Sequence, residues 1–195
     1  MILCDHQIQK ALHEGLLIIR PTPHSSQIAS TSVDLHVGDD FKTWREGLRA
    51  PGVTPIIDLD NIKIAELESL TEAIKPVHGV VRIEPGAFVL VRTLEEVGLP
   101  IRSRLAARVE GRSTPARLVM GVHVTAPTVH AGFSGRITLE ILNHGPFTLQ
   151  VTPNQTILCQ LIIERVGAQP RRAIQTAFID QATPLGTPRK RKRKR

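Results

Sequence analysis

Gly132-Phe133-Ser134-Gly135-Arg136-Ile137-Thr138-Leu139-Glu140-Ile141-Leu142-Asn143 decides how this chain folds. From Gly135 onward the residues alternate. Ile137, Leu139 and Ile141 share one face of a strand, and Arg136, Thr138 and Glu140 share the other. A strand that is apolar on one side and polar on the other belongs to an antiparallel sheet with a single buried face. Glu140 is then a carboxylate on the polar face, either solvated and paired with Arg136 or kept for chemistry. Just upstream, Gly111-Arg112-Ser113-Thr114-Pro115-Ala116-Arg117 reads as a loop. Its two guanidinium groups, two hydroxyls and free backbone N–H groups suit phosphate oxygens.

The elements on either side are short. Asp5 reads as the N-cap of a first helix with an Ile8, Ala11, Leu12 stripe and a stop at Gly15. Residues 16–19 form a strand candidate ended by Pro21 and Pro23. Residues 31–38 alternate, with Val33, Leu35 and Val37 on one face and Asp34 and His36 on the other, a sheet surface or a subunit contact. Ile56, Ile57 and Leu59 suggest another strand, and residues 62–73 are acidic and helical in character. Strands are expected at 79–83 and 87–93, about the Glu84-Pro85-Gly86 turn, and again near 119–124, 135–142, 147–151 and 155–166, with Pro153-Asn154 turning into the last. Many short strands, proline and glycine turns and little helix predict a mainly β domain: a sandwich, jelly roll or barrel.

Composition narrows the classes. The 195 residues are 41% hydrophobic and 22% charged, an ordinary globular balance for one domain. The net charge of +7 comes from the seven basic residues 189–195. Removing them from the 25 Lys and Arg leaves 18, equal to the 18 Asp and Glu. Such a block repels itself and reads as a disordered tail, either solvated or a nuclear-import or nucleic-acid tether. Five Phe, one Trp and no Tyr argue against a base-stacking platform, and Trp44 reads as a packing residue. Cys4 and Cys159 form no C-x-x-C pair, so neither a disulfide framework nor a structural zinc site is indicated. With no secretory leader and no apolar run near the ~20 residues that span a bilayer, the expectation is a cytoplasmic protein without membrane contact.

Gly111-Arg112-Ser113-Thr114-Pro115-Ala116-Arg117-Leu118, then His123-Val124-Thr125-Ala126, Gly132-Phe133-Ser134-Gly135 and Leu139-Glu140 together resemble the core of dCTP deaminase. That family is part of the dUTPase-like superfamily. Ser32-Val33-Asp34-Leu35-His36-Val37-Gly38 resembles its Val-Asp-Leu/Val-Arg-Leu-Gly motif, and Glu84-Pro85-Gly86 through Leu99-Pro100 its strand pair before the central loop. The resemblance implies a distorted jelly roll or dUTPase-like β-barrel with a short N-terminal helix. It also implies a homotrimer whose sites are shared between subunits. The chain would divide into a deaminase domain (1–166), a C-terminal lid extension (167–188) and the basic tail (189–195).

The implied activity is zinc-independent hydrolysis of dCTP to dUTP and ammonia, supplying pyrimidine deoxynucleotides. In agreement, the H-x-E and P-C-x-x-C motifs of zinc deaminases do not occur. By resemblance Glu140 would be the general acid/base, Ser113 would orient the attacking water with the backbone carbonyls of residues 124–126, and Arg117 would stabilise charge. Ala126 would also contact the substrate, the main chain at Thr138 would read the base edge, and His130 would meet the sugar. Arg112, Ser113, Thr114 and Arg117 would hold phosphates bridged by Mg²⁺, while Gln160 and Gln181 would lie near the ligand. No residue is expected to bind metal directly.

Three features depart from the family pattern. His130 stands where an Asp reads the deoxyribose. Thr125-Ala126-Pro127-Thr128 follows neither usual form of that turn. Ala177-Phe178-Ile179-Asp180-Gln181 lacks the lid's Lys and Tyr, for which Arg171 or Arg172 would compensate. Two other readings stay open: a dUTPase-type or bifunctional dUMP-forming pyrophosphatase, and a non-catalytic nucleotide-binding regulator. His123 and His144 are equally consistent with structural and ligand roles.

Overall fold

The computed structural model describes residues 1–48, 55–172 and 181–186, with the side chain of Ala65 left aside. In chain order the elements are α1 (Asp5–His13), β1 (Ile18–Arg20), β2 (Ser32–His36), β3 (Lys42–Trp44), α2 (Ile64–Ser69), β4 (Thr71–Ala73), β5 (Val81–Ile83) and β6 (Phe88–Gly98). There follow β7 (Leu105–Gly111), α3 (Ser113–Arg117), β8 (Met120–Gly121), β9 (Thr128–Val129), β10 (Ser134–Asn143), β11 (Leu149–Val151) and β12 (Ile157–Arg165). One sheet runs β4-β3-β6-β10-β8, with β1 also on β6. A second runs β2-β12-β7-β9, and β5 pairs with β11. All pairings between strands are antiparallel. The fold is mainly β, as the alternation predicts.

The apolar faces of both large sheets meet in one core. Leu139 and Ile141 of β10, Val91 of β6, Val33 and Leu35 of β2, and Leu161 and Ile163 of β12 are all fully buried there. β6 joins the two sheets. Its pairing with β10 passes from Thr138↔Arg92 to Arg136↔Glu96, so extra residues bulge out of β6. Within the bulge, Thr93 Oγ1 accepts from Ile137 N (3.1 Å), and Thr93 bridges to Val37 at the end of β2. Gly38 N donates to Arg92 O at 2.8 Å, and a Cβ at Gly38 would stand 2.7 Å from that oxygen, so this crossing requires glycine. The bulge also turns Glu95 toward β2. There its carboxylate accepts from His36 N (2.9 Å) and meets His36 Nδ1 (2.7 Å).

Several local expectations are corrected. The cap of α1 is Cys4, whose backbone N–H is satisfied by Gln7 Oε1 at 3.1 Å, and Asp5 lies in the first helical turn. Residues 55–60 are not a strand but an exposed segment, with Ile56 97% exposed. The helix nearby is confined to α2, and residues 71–73 form β4. Around 119–124 only Met120–Gly121 is a strand, and β3, β7 and β9 are not among the expected strands. Trp44 stacks on Phe88 with ring centroids 5.8 Å apart. Residues 49–54, the lid positions 173–180 and 187–188, and the basic tail 189–195 lie outside the described residues.

Candidate active site

The stretch 111–117 is not one loop: Gly111 ends β7, Arg112 is an extended N-cap, and Ser113–Arg117 form the single helical turn α3. Ala116 N donates to Arg112 O (3.1 Å), and the turn closes with Val119 in the left-handed region at φ +59°. Ser113, Thr114 and Arg117 are exposed on this turn. Arg112 is half-buried and its Nη1 lies 3.4 Å from Asp34 Oδ2. Burial pushes the Asp34 carboxyl above the usual carboxylate range, partly offset by Arg112 and then by His36. Gln160 fixes the base of the turn from β12. Its Nε2 donates to Gly111 O (3.2 Å), and its Oε1 accepts from Ser32 Oγ (3.0 Å).

The polar face of β10 borders a cavity of about 570 Å³, a size suited to a small-molecule ligand. Five of the expected site residues line it: Ala126, His130, Thr138, Glu140 and Gln181. His123 joins them, and neither of its buried ring nitrogens has a hydrogen-bond partner among the described residues. Glu140 is half-buried and forms no ion pair among the described residues, so the Arg136–Glu140 pair is not made. Apart from Thr128 the remaining wall is apolar and includes Phe133, Leu90, Leu185 and the α2 residues Ile64 and Leu67. A carboxylate in such a setting can exchange protons with a bound substrate instead of with bulk water.

The structure therefore divides the expected site. Arg112 and Thr114 line a separate cavity of about 420 Å³, while Ser113, Arg117 and Gln160 line neither. Residues 181–186 pack along the first cavity. Gln181 Nε2 donates to Thr138 Oγ1 (2.8 Å) and to Arg136 O (3.1 Å), and Thr138 Oγ1 donates to Pro184 O (3.0 Å). Sequence reasoning missed the α2 wall, although Ile64 and Leu67 stand at helical i, i+3 spacing. It also missed the ion pairs Asp40–Arg92 and Lys42–Glu68 that border these residues.

Comparison with known proteins bears directly on this arrangement. A family profile described as dCTP deaminase-like matches residues 2–166. The "dCTP deaminase, dUMP-forming" of Methanothermobacter thermautotrophicus is 39% identical over 172 residues, covering 88% of this chain and 82% of that one. The "dCTP deaminase" of Rhodospirillum rubrum is 36% identical over 193 residues and covers 95% of each. The crystal structure of 2'-deoxycytidine 5'-triphosphate deaminase from Agrobacterium tumefaciens shares the fold, with a TM-score of 0.62 at 22% identity. The match covers 85% of this chain and 46% of that one. With a profile match over most of its length and relatives of this identity and coverage, the chain belongs to the dCTP deaminase-like family.

Proposed function

We propose that this protein deaminates dCTP hydrolytically, giving dUTP and ammonia, with Glu140 as general acid and base. The observation that carries the reading is the Glu140 carboxylate, half-buried at an apolar-walled cavity and without an ion-pair partner among the described residues. In this reading Glu140 takes a proton from a water that adds to C4 of cytosine. It passes that proton to N3, then takes the remaining proton from the C4 hydroxyl and gives it to the amine as the C4–N4 bond breaks and C4=O forms, so that ammonia leaves and the carboxylate is regenerated. Such a group contributes ~10²–10⁴ in rate. The names of the relatives, up to 42% identical, support the same chemistry.

The other roles follow the two surfaces. Ala126, Thr138, His130 and Gln181, which line the cavity, would take the base and sugar. Arg112, Ser113, Thr114 and Arg117 would take the triphosphate, Ser113 and Arg117 also serving the attacking water and developing charge, with Gln160 bracing their turn. Because Ser113 and Arg117 do not line the Glu140 cavity, a neighbouring copy that presents its α3 turn there would complete the site. This favours a homotrimer with shared sites. The α3 turn offers guanidinium and hydroxyl groups, and the Asp34 carboxylate beside it is already paired with Arg112. Such donors fit phosphate oxygens, and Mg²⁺ would then be held by the triphosphate, where it neutralises charge. Residues 181–186 would belong to the lid, and the 189–195 block would remain an appendage to the chemistry.

A second reading, hydrolysis on to dUMP, is favoured by the "dUMP-forming" names of the archaeal relatives. His130 in the turn where the resemblance expects Asp weighs against it. The test is incubation with dCTP, CTP and dUTP in the presence of Mg²⁺, following ammonia and pyrophosphate. Ammonia from dCTP without pyrophosphate is expected, and pyrophosphate alongside would select the second reading. Bound nucleotide with no ammonia would overturn the deaminase assignment in favour of a regulator.

A further inference from the structure

We propose that the Asp40–Arg92 ion pair is a positioning device for the nucleotide site, fixing Gln181 and residues 181–186 against β10. The inference rests on the reading that the β10 cavity takes the nucleotide.

Arg92 stands opposite Thr138 in the β6–β10 register, two positions along the ladder from the Leu90↔Glu140 pair. Its residue is only 9% exposed. A guanidinium buried to this degree is tolerated where its hydrogen bonds are met. Two acceptors meet them here. Arg92 Nε donates to the Asp40 carboxylate, whose other oxygen accepts from Arg92 N at 3.1 Å. Arg92 Nη1 donates to Gln181 O at 2.7 Å, a bond between residues 89 positions apart. Neutralising Asp40 would not require that second bond.

The bond fixes Gln181 from the backbone side, and Thr138 Oγ1 and Arg136 O fix it from the side-chain side. Gln181 is thereby immobilised at both ends, 4% exposed, beside the strand that carries Glu140. A second anchor lies two residues on, where Thr183 Oγ1 donates to Glu68, the partner of Lys42. Lysine at position 92 would separate the two functions of the arginine. An ammonium on a flexible stem retains charge balance with Asp40 but lacks the planar fork that spans both acceptors.

The test uses full-length wild type, Arg92→Lys, Gln181→Ala and the double variant, measuring amide hydrogen exchange in residues 181–186, Tm, and kcat and KM for dCTP. Exchange in 181–186 is expected to rise about tenfold or more in Arg92→Lys, since a hydrogen bond to a charged group is lost. KM should rise by a similar factor with kcat and Tm little changed. Gln181→Ala keeps the main-chain oxygen but removes the side chain to be positioned, so in that background Arg92→Lys should still raise exchange while raising KM by less than it does in the wild type. Unchanged exchange, or KM effects that simply multiply in the double variant, would overturn the proposal. If Arg92→Lys folds poorly, Asp40→Asn gives the same readings, because it frees the guanidinium from its second anchor. A wild type that fails to turn over dCTP would sink the functional reading, and the exchange data would still decide the anchor.

Discussion

The two surfaces that carry the expected site residues are built on opposite principles. The β10 cavity is set in the sheet: Ile137, Leu139 and Ile141 lock the strand from beneath, and Thr138 and Glu140 project from a backbone paired along much of its length. Its wall is largely apolar, and its carboxylate and its buried imidazole lack partners among the described residues. The α3 turn is an exposed helical turn whose principal cation, Arg112, is already engaged by Asp34. Proton transfer needs a fixed, poorly solvated group whose partner is the substrate. Phosphate binding needs charge and accessible donors, and it tolerates solvent. If the two surfaces serve one nucleotide, as proposed, the contrast teaches that such a site draws on a rigid half and an exposed half, each kept where its chemistry works.

Breaking the rigid half should have the largest effect. Glu140→Gln keeps the shape of the side chain and removes the titrating carboxylate, so kcat should fall by ~10²–10⁴ with Tm unchanged. A loss confined to KM would erase the distinction between the halves. Arg112→Gln strikes the exposed half and should cost about 1.5–3 kcal/mol of triphosphate binding, read as a raised KM for dCTP with a smaller change in kcat. Affinity for a cytosine nucleoside without phosphates should stay as it was. Val119→Gly sharpens the comparison from the stability side. A β-branched residue at φ +59° is held in the left-handed region, where L side chains cost ~1–2 kcal/mol. Glycine returns part of that as unfolded-state entropy. A net gain of about 1 kcal/mol is expected, measured as a higher denaturant midpoint.

The smallest effect concerns pH. The raised Asp34 carboxyl binds its proton more tightly in the folded chain than in the unfolded one. Stability from this group is therefore present at low pH and declines as pH rises from the ordinary aspartate value of about 3.9 through the higher folded value. Asp34→Asn should flatten that part of the Tm–pH curve. Arg112→Gln should steepen it, because the cation that draws the carboxyl back down is gone.

What could be read in advance was what repeats or sits close in sequence. The alternation of residues 135–142 appears in the structure as the buried Ile137, Leu139, Ile141 set with Thr138 and Glu140 on the cavity side. The phosphate-suited cluster at 111–117 was visible by composition, but its helical turn was not, since five residues are too few to show a period. α2 escaped definition for the same reason. The Asp40–Arg92 pair joins residues 52 apart, and neither carries a local signal, so it exists only once β6 has met the end of β2. The division of the expected residues between two cavities depends on where the α3 turn, β11 and β12 come together apart from β10, which periodicity within one strand does not encode.

The bulge in β6 bears on how the molecule comes apart. A strand that pairs with β10 along much of its length and touches Val37 and Gly38 in its middle has no allegiance to a single layer. Peeling away β2, β12 and β7 would strip partners from Thr93 and Glu95, and freeing β10 would leave Thr93 Oγ1 without the Ile137 amide. The two layers are therefore expected to come apart together, taking both surfaces of the candidate site in one cooperative event.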